Sequence, residues 1–129
     1  MACIRRRDKK MGDAGEKYVF KLLKEIYDNV WRTKKYDLYD FETPNIQFEL
    51  KTRNCKSTTY NTTMIPMNKI KKRNRKKELV FIFKFKDGIF CWDYDEDEYE
   101  EDLGGRTDRG CNEIKQYAYI PVKYLYPFP

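Results

Sequence analysis

The chain has 129 residues, 27 of them basic and 21 acidic, giving a formal charge of +6 and a pI near 9.0. Its 40% hydrophobic and 16% aromatic content is enough for one core and excludes a wholly disordered chain. No apolar run approaches the roughly 20 residues of a membrane helix, and the basic N-terminus lacks the apolar segment of a secretion signal, so the expectation is one intracellular domain over 1–129, cytoplasmic or nuclear, with no membrane partner.

In chain order, a basic arm (1–12) carries Arg5, Arg6 and Arg7. Val19, Leu22, Leu23, Ile26, Tyr27 and Val30 follow three- and four-residue steps, which predicts an amphipathic helix over 13–29 with Asp13 as its N-cap. Glu16 falls on the apolar stripe, either as a capping-box partner of Asp13 or aimed into a site beneath the helix. Residues 36–42 and 46–53 alternate apolar and polar on either side of Pro44-Asn45, which predicts an antiparallel hairpin. With that turn Phe41 opposes Phe48, Tyr39 opposes Leu50, Asp40 opposes Glu49 and Leu38 opposes Lys51.

Residues 54–65 read as a polar loop, and Pro66 as the start of a short basic helix to about residue 77. Leu79–Phe83 is a continuous apolar run, suited to a strand covered on both faces. Asp87-Gly88 is a hairpin turn into Ile89–Tyr94. An acidic loop follows over about 95–110, then a last strand near Gln116–Ile120. The order gives an α/β or α+β domain around a central mixed sheet flanked by helices.

Charge is unevenly spread. Residues 1–77 hold 21 basic and 9 acidic residues; residues 78–129 hold 6 and 12. Two basic runs, Arg5–Lys10 and Lys69–Lys77, favour a polyanionic partner, and nucleic acid supplies the matching phosphate spacing. The second run also resembles a nuclear-import signal. Arg53, Lys69, Lys71, Lys72, Arg73, Arg75 and Lys76 join the arm as candidate phosphate contacts. The acidic run 93–102 reads as an exposed loop that limits where the basic face binds.

Histidine is absent, which removes Ser-His-Asp and Cys-His catalysis and histidine metal sites. Cys3, Cys55, Cys91 and Cys111 form no CxxC pair and read as reduced thiols. Any metal must therefore be held by oxygen or sulfur. Opposed carboxylates about 5 Å apart, as expected for Asp40 and Glu49, repel unless a cation or proton joins them. Hard oxygen ligands suit Mg²⁺ or Mn²⁺. Lys51, two residues beyond Glu49, shares their face. The bland alternative is an exposed cross-strand salt-bridge cluster worth about 0–1 kcal/mol.

Asp40 followed by Glu49-Leu50-Lys51 resembles the PD-(D/E)xK nuclease signature, an acid on one strand and ExK on the next. Gly15-Glu16 matches that family's helix glutamate in place and kind. Tyr39 stands where the signature has proline, which leaves Asp37 as a rival to Asp40; the face argument favours Asp40. Within the family, the short chain, the Gly-Glu helix and the ELKTR segment look most like small archaeal-type and viral Holliday junction resolvases. The resemblance implies a restriction-endonuclease-like core and Mg²⁺-dependent (or Mn²⁺-dependent) endonucleolytic cleavage of DNA. It implies a metal site of Glu16, Asp40, Glu49 and the Leu50 backbone carbonyl, with Lys51 as the motif lysine. A four-way junction needs two sites, so that substrate implies a homodimer. A non-catalytic nucleic-acid-binding protein on the same fold and an RNA endonuclease are the rival readings. Nothing in the sequence separates DNA from RNA.

Overall fold

The computed structural model describes residues 6–105 and 114–129, with side chains from residue 14 onward. Helix α1 (Arg6–Ile26) is followed by strands β1 (Trp31–Arg32), β2 (Phe41–Glu42) and β3 (Ile46–Thr52). Strand β4 (Thr62–Pro66) and the short helix α2 (Asn68–Lys71) lead into β5 (Glu78–Phe85), β6 (Gly88–Asp93), β7 (Glu100–Gly104) and β8 (Lys115–Pro121). A 3-10 turn (Val122–Tyr124) and β9 (Tyr126–Pro127) follow. Six strands form one mixed sheet in the order β1-β2-β3-β5-β6-β9, with β3 and β5 parallel; a second sheet has the order β4-β8-β7. This is an α+β fold with a restriction-endonuclease-like core.

Period-two alternation splits the main sheet into two packing faces. Phe48, Leu50, Val80 and Ile82 meet Val19 and Leu23 of α1, with Phe41 and Cys91 completing that layer. The opposite face carries Leu79, Phe81, Phe83, Phe85 and Trp92, covered by Ile65, Ala118 and Ile120 of the second sheet and by Met67 and Ile70 beside α2. β5 therefore reads as an unbroken apolar run because both its faces are covered.

α1 approaches β3 closely at Gly15. A Cβ there would lie 2.9 Å from the Thr52 hydroxyl oxygen, so any larger residue would have to displace that side chain.

The hairpin register is as the Pro-Asn turn predicts, with Phe41 opposite Phe48 and Glu42 opposite Gln47. Asp87-Gly88 turns β5 into β6, with Gly88 at φ +153°. Other expectations are corrected. α1 already runs from Arg6, so Asp13 lies inside the helix and not at its cap, and the helix ends at Ile26. β2 begins only at Phe41, so Tyr39 lies before the strand and does not share a face with Phe41: Tyr39 joins the layer of Phe81 and Trp92. The expected loop 54–65 contains most of β4, whose Thr63 and Ile65 are buried against β8. The basic helix is only α2, because Gln47 captures the backbone of Asn74 and ends it. The acidic segment is not all loop: Glu100–Gly104 pairs with β8 as β7, and Glu98 accepts from the Trp92 indole at 2.9 Å.

Candidate active site

The connection from β3 to β5 must cross the sheet, as parallel strands require. It is fastened to β3 by one row of polar side chains. Gln47 donates to the Asn74 carbonyl and accepts from its N–H, both at 3.0 Å. Glu49 binds the Lys69 ammonium at 3.2 Å. Arg53 donates to the Met64 carbonyl. Alternation along β3 puts these side chains on the face away from α1.

Asp40 sits immediately before β2 joins the ladder. Its N–H donates to the Phe48 carbonyl at 3.0 Å, and its carboxylate accepts the Leu50 N–H at 2.8 Å. The side chain thus stands in for a strand carbonyl, and it is fixed against β3 one residue from Glu49. Asp37 lies elsewhere, exposed in a turn where it accepts from the Lys34 N–H at 3.0 Å. The geometry therefore brings Asp40, not Asp37, to the ExK strand.

Glu49 is 3% exposed and hydrogen-bonds with Asp40. Burial pushes its carboxyl up to about 7, the Lys51 ammonium opposes this, Asp40 adds to it and Lys69 opposes it. Lys51 and Lys69 reach the same Glu49 oxygen at 3.3 and 3.2 Å. Burial lowers the pKa of Lys51. Lys69 also donates to the Leu38 carbonyl, and the Tyr39 hydroxyl donates to the Lys69 carbonyl. Burial followed by the Glu49 charge raises Tyr39 to about 12, so the phenol stays protonated at neutral pH.

Sequence reasoning placed Lys69 among the flanking phosphate contacts; its ammonium lies inside the acid site. The available signal was the Tyr39 hydroxyl, a buried polar tip needing an acceptor. Arg53, also read as a phosphate contact, is turned inward to β4. Arg73 is half-buried, donating to the Ile70 carbonyl at 2.7 Å and lying 4.4 Å from the Tyr94 ring centre. Lys71, Lys72, Arg75 and Lys76 are exposed, and Lys71 is 4.0 Å from Glu101 of β7. Arg5 lies outside the described residues, as do the side chains of Arg6 and Arg7. Glu16 pairs with Arg32 at 3.3 Å.

Among the described residues, no three His, Cys, Asp or Glu side chains gather at metal-binding spacing. The structure does bring Asp40 and Glu49 into contact. An acid pair is a donor set that fits a hard divalent cation, because Mg²⁺ commonly takes one or two carboxylates and fills its other positions with water and phosphate oxygen. None of the described helices is long and apolar enough to cross a membrane.

Residues 30–127 match the model of a protein family described as phage putative PDDEXK endonuclease. The match includes Asp40, Glu49 and Lys51 and begins after Glu16. No curated protein and no solved structure matches the chain.

Proposed function

The chain belongs to the phage PDDEXK endonuclease family, and on that premise we propose that it is a divalent-metal-dependent endonuclease hydrolysing DNA phosphodiester bonds at Asp40, Glu49 and Lys51. The observation that carries this reading is the buried Glu49 carboxyl, joined to Asp40 and flanked by two lysines. Asp40 and Glu49 would hold Mg²⁺ or Mn²⁺, with the Leu50 carbonyl and Glu16 as the further ligands the family pattern implies. A bound divalent cation supplies Lewis-acid polarisation of the scissile phosphate and lowers the pKa of water.

The remaining work belongs to the chain's own side chains. The Leu50 N–H orients the Asp40 carboxylate. Lys51 and Lys69 hold Glu49 in place and offer ammonium groups to the phosphate oxygens as negative charge builds on them. The exposed Lys71, Lys72, Arg75 and Lys76 grip flanking phosphates. A branched DNA such as a four-way junction is the structure-specific form of the substrate, and a homodimer is the form that would cut it symmetrically.

The test is cleavage of labelled linear, flapped and four-way DNA, and of RNA of the same sequence, with Mg²⁺, Mn²⁺ or EDTA, by wild type, Asp40→Ala and Lys51→Ala. Cutting that needs metal and is lost in both variants supports the reading, and the preferred substrate names the subclass. Binding without cutting in every lane shifts the conclusion to a non-catalytic binding protein. That second reading draws on the neutralisation of Glu49 by two ammonium groups.

A further inference from the structure

Beyond the acid pair, a cavity of about 420 Å³ lies between the segment that follows β3, the end of β5 and strands β4 and β8. This lies within the roughly 300–1,000 Å³ range of ligand pockets. Its walls include Arg53, Cys55, Tyr60, Met64, Phe85 and Tyr119. The lining is mostly apolar and aromatic, with Arg53 and Lys56 supplying positive charge. Tyr60 is 68% exposed, so its ring has a face open to a ligand. An apolar, aromatic-walled slot with cations beside it matches a nucleobase attached to its phosphate.

Placement points the same way. Arg53 follows Lys51 by two residues, so alternation puts both side chains on one face. Two residues of extended chain span about 7 Å, roughly two base steps of a B-form strand. The charges of Lys51 and Arg53 are close enough to act on each other. A strand that ran along β3 from a phosphate at Glu49 would reach Arg53, in the wall of this cavity, within one or two nucleotides.

We propose that the cavity receives an unpaired nucleobase of the substrate strand, one or two nucleotides from the phosphate held at Glu49 and Lys51. The inference rests on the nuclease reading and adds a substrate class to it: nucleic acid with an extrahelical, mismatched or single-stranded base near the cut. Extruding a paired base costs unstacking and unpairing, whereas an unpaired base enters without that loss. The cavity thus selects the damaged or branched position without reading sequence.

The test is binding in EDTA, which prevents cutting, followed by fluorescence anisotropy on three duplexes of equal length. One is fully paired, one has a single unpaired base and one has an abasic site in its place. Cys55 alkylation is followed in parallel by peptide mass spectrometry. The expected result is roughly 5- to 100-fold tighter binding of the unpaired-base duplex, the range set by one base–aromatic stack. Cys55 should be protected by that duplex alone. Tyr60→Ala, which removes the ring, and Thr62→Trp, which fills the mouth from an exposed position, should each bring the affinity ratio towards one. Equal affinities for all three duplexes with Cys55 unprotected would overturn the pocket and leave the nuclease reading standing. Failure to bind any nucleic acid, in EDTA and with Mg²⁺ alike, would overturn both.

Discussion

Phe48 and Leu50 leave β3 on the side of α1, where Phe41, Val80 and Ile82 complete a dry layer. Gln47 and Glu49 alternate with them and are just as closed, beside Phe81, Phe83 and Trp92, while Lys51 at the end of the row stays partly exposed. On the first side any well-fitting hydrophobe satisfies the physics, and specificity comes from shape. On the second side each polar group must find a partner or lose several kcal/mol. On the function proposed above, the difference marks where the fold gives up stability for chemistry: a buried carboxylate with a raised pKa is a poor choice for packing and a good one for a cation site.

The comparison can be broken first from its dry side. Phe41→Ala should cost about 3–5 kcal/mol in urea unfolding, through lost burial and a residual cavity. On the polar side, Lys51→Ala should leave the fold intact by circular dichroism and lower the cleavage rate about 10²–10³-fold, near 2.7–4 kcal/mol of barrier.

Glu49→Gln sharpens the contrast through pH. Between about 4.5 and 7 the folded protein keeps the Glu49 proton that the unfolded chain has released. The folded state binds more protons there, so metal-free stability falls as pH rises through that window and levels off above it. Glu49→Gln should remove this fall, which is on the order of 2–3 kcal/mol for one buried carboxyl. Parallel urea titrations at pH 5 and pH 8 check it; an unchanged difference between wild type and variant would show that Glu49 is not held protonated.

At the exposed end, Lys72→Gln combined with Lys76→Gln should flatten the dependence of log affinity on log salt by about 2, one unit for each lost phosphate contact. Smallest of all is the Lys71–Glu101 pair at 4.0 Å, where Glu101→Gln should move stability by about 0–1 kcal/mol.

The parts of the molecule that were legible in sequence are those set by local rules. The Pro-Asn turn fixed the register of β2 against β3, and the apolar run at residues 79–83 announced a strand covered on both sides. The pairing of Asp40 with Glu49 followed from that register. What was not legible depends on distant partners. Thr62–Pro66 becomes a strand only because β8 lies beside it, and Glu100–Gly104 becomes β7 for the same reason, against its charge. Tyr39 changed faces because β2 starts only at Phe41, and just before it Asp40 turns its side chain into the ladder. Lys69 could not be assigned to the acid site from a run of similar lysines, since its selection depends on Leu38 and Tyr39, some 30 residues earlier.

The three fastenings of the connection to β3 also decide where this chain can change length. Met64, Lys69 and Asn74 lie five residues apart and meet Arg53, Glu49 and Gln47 in reverse order along the strand. An extra residue between Met64 and Asn74 would put the next side chain in the wrong phase and carry the Lys69 ammonium off Glu49. Cys55 and the buried Ser57 are tied to Lys86 and Asp87, so extra residues at 58–61 fall between that tie and the first fastening and leave the phase untouched. Insertions and deletions among relatives should therefore collect in the 58–61 stretch and be missing from 64–74. Remodelling the cavity walls need not disturb the carboxylate pair.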